Sequence, residues 1–187
     1  ITQRVFDFAR ALVGHILGGL GHVNVVASMI FSGMSGAAVA DAAGLGLVEM
    51  KAMTENGYEK EFSAAITAAS STIGPVVPPS IAFVIYGSIT GVSIVKLFMA
   101  GFIPGLLMGL ALMIAVYFVA KKRGYPKDPT PMFSLIWKTF TGSFLALLMP
   151  IIIIGGILGV LAMGLLLNLL AGESTAAWFS LNPLYHL

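Results

Sequence analysis

Two stretches of this 187-residue chain set oxygen-rich, helix-breaking residues inside apolar sequence. The first, residues 31–41, reads Phe-Ser-Gly-Met-Ser-Gly-Ala-Ala-Val-Ala-Asp and packs Ser32, Gly33, Ser35 and Gly36 into one short run. The second, residues 67–80, carries Thr67, Ser70, Ser71, Thr72, Gly74, Pro75, Pro78, Pro79 and Ser80. An interrupted helix exposes orphan carbonyls at the end of one half and orphan N–H groups at the start of the next. Carbonyls and Ser/Thr hydroxyls are hard ligands that suit Na+, and half-helix N-termini suit anionic groups. The candidate Na+ ligands are therefore Ser32, Gly33, Ser35 and Gly36 from the first stretch and Ser70, Ser71, Gly74 and Val77 from the second. Asp41, Thr67, Pro78, Pro79 and Ser80 are candidates for lining a substrate cavity. One serine alone is explained by a back-bond to a helix carbonyl; two such interruptions together are not.

Asp41 reads as the one acid inside the first apolar stretch. A carboxylate in a bilayer costs roughly 2.5–3.5 kcal/mol on insertion scales, so it must face a cavity or a partner. Its roles are ion ligand, cap of the following helix, or orienter of the Gly/Ser run, with a slight preference for the structural ones. His22 and Asn24 read as interfacial. Gly33-Met-Ser-Gly36 also spells the short GxSG string of intramembrane serine proteases. That chemistry needs a histidine on a later helix to activate the serine, and the later histidine here is His186, next to the C-terminus.

The composition, 58% hydrophobic and 10% charged, carries a mean hydropathy of +0.97. Soluble domains carry about 25% charge, so this chain lacks the polar residues to cover a globule. Its long apolar runs lack the alternation of a membrane barrel, and the expected class is an all-α polytopic membrane protein. Net charge is +2, with Lys121, Lys122, Arg123 and Lys127 in one short segment. That cluster reads as a cytoplasmic anchor under the positive-inside rule; a span ending directly in it argues against nucleic acid. The absence of cysteine removes disulfides and thiolate metal sites, and no cofactor is expected beyond the coupling ion. A start at Ile1 without an apolar signal core reads as a fragment or a missing beginning.

The elements follow from apolar spacing and breakers. Residues 1–21 form an amphipathic arm helix and a glycine turn, with Arg4, Asp7 and Arg10 opposite Val5, Phe6, Ala9 and Leu12. Residues 22–53 read as a re-entrant helical hairpin, with one continuous span over residues 22–50 and tolerated glycines as the alternative. Its first arm of ten residues or so rises about 15 Å, half of a core about 30 Å thick. Residues 62–90 read as a transmembrane helix broken at Gly74–Pro79, because proline cannot continue a helix interior. Such backbone survives at membrane depth only inside protein or beside a wet cavity. Residues 97–120 are a plain span whose Gly101, Gly105 and Gly109 make one smooth packing face. Residues 121–142 are the basic loop and a second arm, 143–170 a span with a kink at Pro150, and 171–187 a tail. With the basic loop cytoplasmic, residues 56–61 fall on the same side and the hairpin tip points toward the midplane.

The blocks Gly-His-Val-Asn-Val-Val-Ala-Ser (21–28), the 31–41 run, Ala-Ile-Thr-Ala-Ala-Ser-Ser-Thr-Ile-Gly-Pro (65–75) and Pro-Pro-Ser-Ile (78–81) carry a resemblance. With Val-Ile-Tyr-Gly (84–87) and Leu-Phe-Met-Ala-Gly-Phe-Ile-Pro-Gly (97–105), they closely resemble the large membrane subunit of tripartite ATP-independent periplasmic (TRAP) transporters. The resemblance runs in order from about residue 1 to about residue 159. It implies a Na+-coupled permease of the bacterial inner membrane that takes up organic anions such as C4-dicarboxylates or sialic acid. It also implies a periplasmic substrate-binding protein, a small membrane subunit as brace, and an elevator-type movement. By resemblance, residues 32–36 are the first hairpin tip, residues 70–80 the broken helix completing a Na+ site, and the two amphipathic segments the arm helices. The family's large subunit is more than twice as long, so this chain corresponds to one repeat of an inverted-repeat architecture. Past Gly159 the sequence departs from the family's usual Phe-Thr-Pro-Thr-Glu-like continuation, which reads as a truncation or frameshift. A non-transporting membrane fragment and, remotely, an intramembrane protease are the alternative readings.

Overall fold

The computed structural model describes residues 2–129 and 133–171. Eight helices follow in order: α1 Thr2–Val13, α2 Gly19–Ser35, α3 Ala38–Gly44, α4 Gly46–Glu55, α5 Lys60–Ser71, α6 Ile81–Thr90, α7 Ile94–Arg123 and α8 Phe133–Ala171, with no strand among the described residues. Among the described residues, two helices are long and apolar enough to cross a membrane, Ile94–Arg123 and Ile136–Gly156 within α8. The tail at 172–187 lies outside the described residues, as does His186 on which the protease reading depends.

Residues 19–55 fold as a helical hairpin. Helix α2 stops where Gly36 turns left-handed at φ 62 and its N–H returns to the Ser32 carbonyl. Ala37 is extended, and α3 starts at once. Contacts then recede in step from the tip: Phe31 lies against Gly44, and further out the Asn24 amide reaches the Met53 sulfur at 3.9 Å. Only antiparallel arms pair residues that way. The first arm is longer than its apolar run predicts, because the helix starts at Gly19, directly after left-handed Gly18. Seventeen residues rise about 25 Å at about 1.5 Å each, so the half-length argument does not carry the hairpin; the paired contacts do. The second arm is two helices, α3 and α4, joined at Leu45.

The predicted break between the two halves of the third element is present. Helix α5 ends at Ser71, tight turns run through residues 72–77, and α6 begins at Ile81. The glycine face of α7 packs against this break and against α2. A Cβ on Gly101 would lie 2.5 Å from the Val76 carbonyl oxygen, one on Gly105 2.5 Å from Val77 Cγ2, and one on Gly109 2.3 Å from the Met29 sulfur. The smooth stripe thus serves to bring α7 against the broken backbone.

The predicted division between a second arm and a span at residue 142 is not present, since α8 runs unbroken from Phe133. The amphipathic start is held by α1: Ser143 Oγ donates to the Arg4 carbonyl at 2.7 Å, Arg4 Nη1 donates to the Gly142 carbonyl at 3.1 Å, and Phe8 and Phe140 meet with ring centroids 5.9 Å apart. A glycine followed by a serine does not stop a helix whose flanks are apolar and packed.

At the end remote from the hairpin tip, the α4–α5 and α7–α8 connections come together. Tyr58 stacks on Tyr125 with centroids 4.3 Å apart and donates to the Pro126 carbonyl at 3.2 Å, and Arg123 pairs with Glu59. Arg10 grips Asp128 through Nε at 2.6 Å and Nη2 at 3.0 Å. Residues 56–59 and the basic segment that ends α7 and follows it thus share one face of the molecule, the relationship the charge pattern predicts. The Arg10 pair is bidentate but partly solvated, so its contribution is about 1 kcal/mol at most. Arg10→Gln and Asp128→Asn are each expected to shift chemical unfolding by that much. Measured as a double-mutant cycle, the pair together should cost no more than either change alone.

Candidate functional site

The tip of the hairpin and the broken helix are pressed into one another. The Ile81 N–H donates to the Gly36 carbonyl at 3.3 Å, which ties the tip to the first residue of α6. A Cβ on Gly36 would lie 2.5 Å from the Pro79 carbonyl oxygen, and one on Gly74 3.3 Å from the Ala37 carbonyl carbon. Gly33 sits between the Pro150 ring and the Pro78 carbonyl. Backbone from the two breaks therefore meets most tightly at Gly36, where a side chain would overlap Pro79, and the junction brings Gly33, Gly36, Gly74, Pro78 and Pro79 together. Pro78 and Pro79 supply no N–H, and the peptide bond between them is cis. Ser80 is buried, accepts from the Phe83 N–H as the N-cap of α6, and donates to the Pro75 carbonyl. That role is a cap, which explains Ser80 without a substrate cavity.

The tip hydroxyls differ in what they have left to offer. Ser32 Oγ donates to the Met29 carbonyl at 2.7 Å, spending its proton while keeping lone pairs. Ser35 Oγ is buried and has no hydrogen-bond partner among the described residues. The end of α2 adds backbone carbonyls that the helix itself cannot satisfy. Val77 directs its side chain at Gly105, so only its backbone remains for ligation.

Thr67, Ser70 and Ser71 lie deeper, in a polar seam between α2 and α5. Asn24, Ser28 and Ser32 recur every fourth residue on α2 and are all fully buried. Asn24 Nδ2 donates to Thr67 Oγ1 at 2.7 Å, Ser70 Oγ donates to Asn24 Oδ1 at 2.7 Å, and Ser28 Oγ donates to Ser70 Oγ at 3.1 Å. Ser71 Oγ returns to the Thr67 carbonyl at 2.8 Å. Asn24 is thus the cross-link of the hairpin to the broken helix, and the interfacial expectation for it is overturned: it is 0% exposed. His22 is buried too, with neither ring nitrogen bonded among the described residues.

Asp41 is buried as expected, but it neither caps α3 nor bonds the tip. It is also not the hairpin's one buried acid. Glu49 is fully buried, and neither acid has a hydrogen-bond partner among the described residues. The sequence reading gives Glu49 no role and takes Asp41 as the one acid of the apolar stretch. A signal was present: Asp41, Leu45, Glu49 and Met53 fall every fourth residue, and all four are buried. Gly46 lets this face approach α5, since a Cβ there would meet Thr67 Cγ2 at 2.7 Å.

Comparison with known proteins gives the arrangement its relatives. Residues 1–179 match the family described as "Tripartite ATP-independent periplasmic transporter, DctM component". The match thus passes residue 159, where the resemblance read from the sequence ends. The chain is 57% identical over 157 residues to the sialic acid TRAP transporter permease protein SiaT of Haemophilus influenzae, covering 84% of this chain and 26% of that protein. It is 55% identical over 157 residues to the large permease protein SiaM of Vibrio cholerae, covering 84% and 37%. To the C4-dicarboxylate large permease protein DctM of Vibrio cholerae it is 39% identical over 159 residues, covering 85% and 35%. The chain thus spans between about a quarter and two-fifths of the length of these relatives. With a family match over nearly its whole length, and with the glycine and proline breaks that carry the resemblance meeting at one place in the fold, the chain belongs to the DctM family, the large permease component of tripartite ATP-independent periplasmic transporters.

Proposed function

We propose that this chain forms one repeat of a Na+-coupled permease of the bacterial inner membrane, with residues 19–55 entering and leaving the bilayer on one side. The observation that carries the reading is the junction of tip and broken helix. It ties Gly36, the residue after Ser35, to Pro79 and Ile81, and Ser35 Oγ is buried with no hydrogen-bond partner among the described residues. Desolvated hydroxyl and carbonyl oxygens around a helix break replace the hydration shell of a small hard cation. Ser32, Gly33, Ser35, Gly36 and Gly74, with the Val77 carbonyl, are the proposed Na+ ligands. Ser70 and Ser71 brace the site from the seam. The exposed apolar faces of α6 and α7, including Ile89, Met99, Phe102 and Ile103, are suited to lipid or to the rest of the permease.

The substrate class follows from the relatives. Higher identity to the two sialic acid permeases than to the C4-dicarboxylate one favours a sialic-acid-like carboxylate over a C4-dicarboxylate. A periplasmic binding protein would deliver it and a small membrane subunit would brace the permease. An elevator motion would carry the tip–break unit as one body, because a hydrogen bond and close backbone packing join its halves. The function is transport rather than catalysis.

The test is uptake into vesicles containing the permease that carries this segment, its small subunit and its binding protein. Ser35→Ala is expected to raise the Na+ concentration for half-maximal uptake at least tenfold while the protein stays folded. Unchanged Na+ dependence in that variant would remove the tip from the ion site.

A further inference from the structure

We propose that the hairpin holds a second cation pocket, separate from the tip, in which Asp41 and Glu49 bind a small hard cation with Ser28 and Ser71. Asp41 is 1% exposed and Glu49 0%, and all four carboxylate oxygens lack a hydrogen-bond partner. Ser28 is a near polar neighbour of both acids and Ser71 of Asp41, although neither hydroxyl closes a bond to them.

The hydrogen-bond chain decides what these hydroxyls present. Asn24 Oδ1 can only accept, so Ser70 must donate to it. With that proton committed, Ser28 must donate to Ser70, and Ser71 gives its proton to the Thr67 carbonyl. A hydroxyl carries one proton. Ser28 and Ser71 therefore turn only lone pairs toward the acids, and the pocket is lined by acceptors from α2, α3, α4 and α5. Buried carboxylates without compensation are strongly unfavourable. The ion pairs among the described residues are Arg10–Asp128, Lys51–Glu55 and Arg123–Glu59, and none includes either acid. Because the chain's own helices already enclose both acids, the compensating charge must be small. Hard oxygen donors suit Na+ or Ca2+.

The pocket stands apart from the proposed tip site, which contains no carboxylate, so its signature is its own. Infrared difference spectra of the purified protein are to be recorded on adding Na+ or Ca2+, each against choline. Binding is expected to shift the carboxylate stretching bands in wild type and in Ser35→Ala, and the shift is to be lost in Glu49→Gln. Radiotracer binding with 22Na+ and 45Ca2+ identifies the ion: its stoichiometry should fall by one per chain in Glu49→Gln and Asp41→Asn. If the glutamine variant does not fold, the wild-type spectra still decide. A protonated-carboxyl band that is lost in neither ion, with no carboxylate shift, overturns the pocket in favour of a proton shared by the two acids. A shift that survives in folded Glu49→Gln overturns it as well.

Discussion

Gly36→Ala is expected to separate the hairpin tip from the broken helix. Gly36 has φ 62, a conformation that costs an L-residue roughly 1–2 kcal/mol. Its new Cβ would also lie 2.5 Å from the Pro79 carbonyl oxygen and 3.3 Å from the Ile81 nitrogen, both backbone atoms that cannot swing aside. Relieving that overlap moves α6 away and lengthens the 3.3 Å bond from Ile81 to the Gly36 carbonyl. Overpacking adds about 1–3 kcal/mol, for a total of about 2–5 kcal/mol concentrated at one junction. Hydrogen exchange at Ile81 should accelerate by two orders of magnitude or more, and Na+-dependent uptake should be lost. Gly57→Ala is the control: Gly57 has φ 83, but a Cβ there meets nothing within 4 Å. It should cost only the backbone part and leave uptake intact. Equal effects from the two variants would show that the Gly36 contact with Pro79 is unimportant.

Gly101→Val is the second large effect. A side chain at Gly101 meets the Val76 carbonyl oxygen at 2.5 Å and the Phe83 ring at 2.4 Å, so it drives α7 against the non-helical link itself. A cost of about 3 kcal/mol or more is expected, at the upper end of core overpacking, and it should appear as lost thermal stability with lost uptake. Gly109 faces Met29 instead, whose flexible thioether can re-pack. Gly109→Ala should therefore fall well below Gly101→Ala when both are ranked by thermal midpoint. The reverse order would mean that the close approach of α7 to the break does not limit stability.

Residue types and order were enough to read membrane class, the two interruptions and much of the helix order. Glycine, proline and hydroxyl residues act locally: Gly36 turns the chain left-handed, Pro78 and Pro79 withhold N–H groups, and Ser80 caps α6. These effects need no distant partner, so they are visible in a linear string. Residue 142, expected to separate an arm from a span, was misread for the complementary reason. Glycine only weakens a helix, and packing of α1 against residues 140–143 outweighs that weakness.

The identity of each polar group's partner was decided by the tertiary structure. Asn24 reads as interfacial from its place near the hairpin's entry; its hydrogen-bond partners, Thr67 and Ser70, are on another helix. Glu49 is absent from the sequence reading, and it lies just before the exposed pair Lys51 and Glu55. The fourfold spacing of Asp41, Leu45, Glu49 and Met53 shows which residues share a face, but the burial of that face depends on Gly46 admitting α5, which only the packing decides. The sequence by itself placed the breaks, because backbone chemistry is local. The fold alone decided which oxygens face one another across them, because helix packing sets that distance.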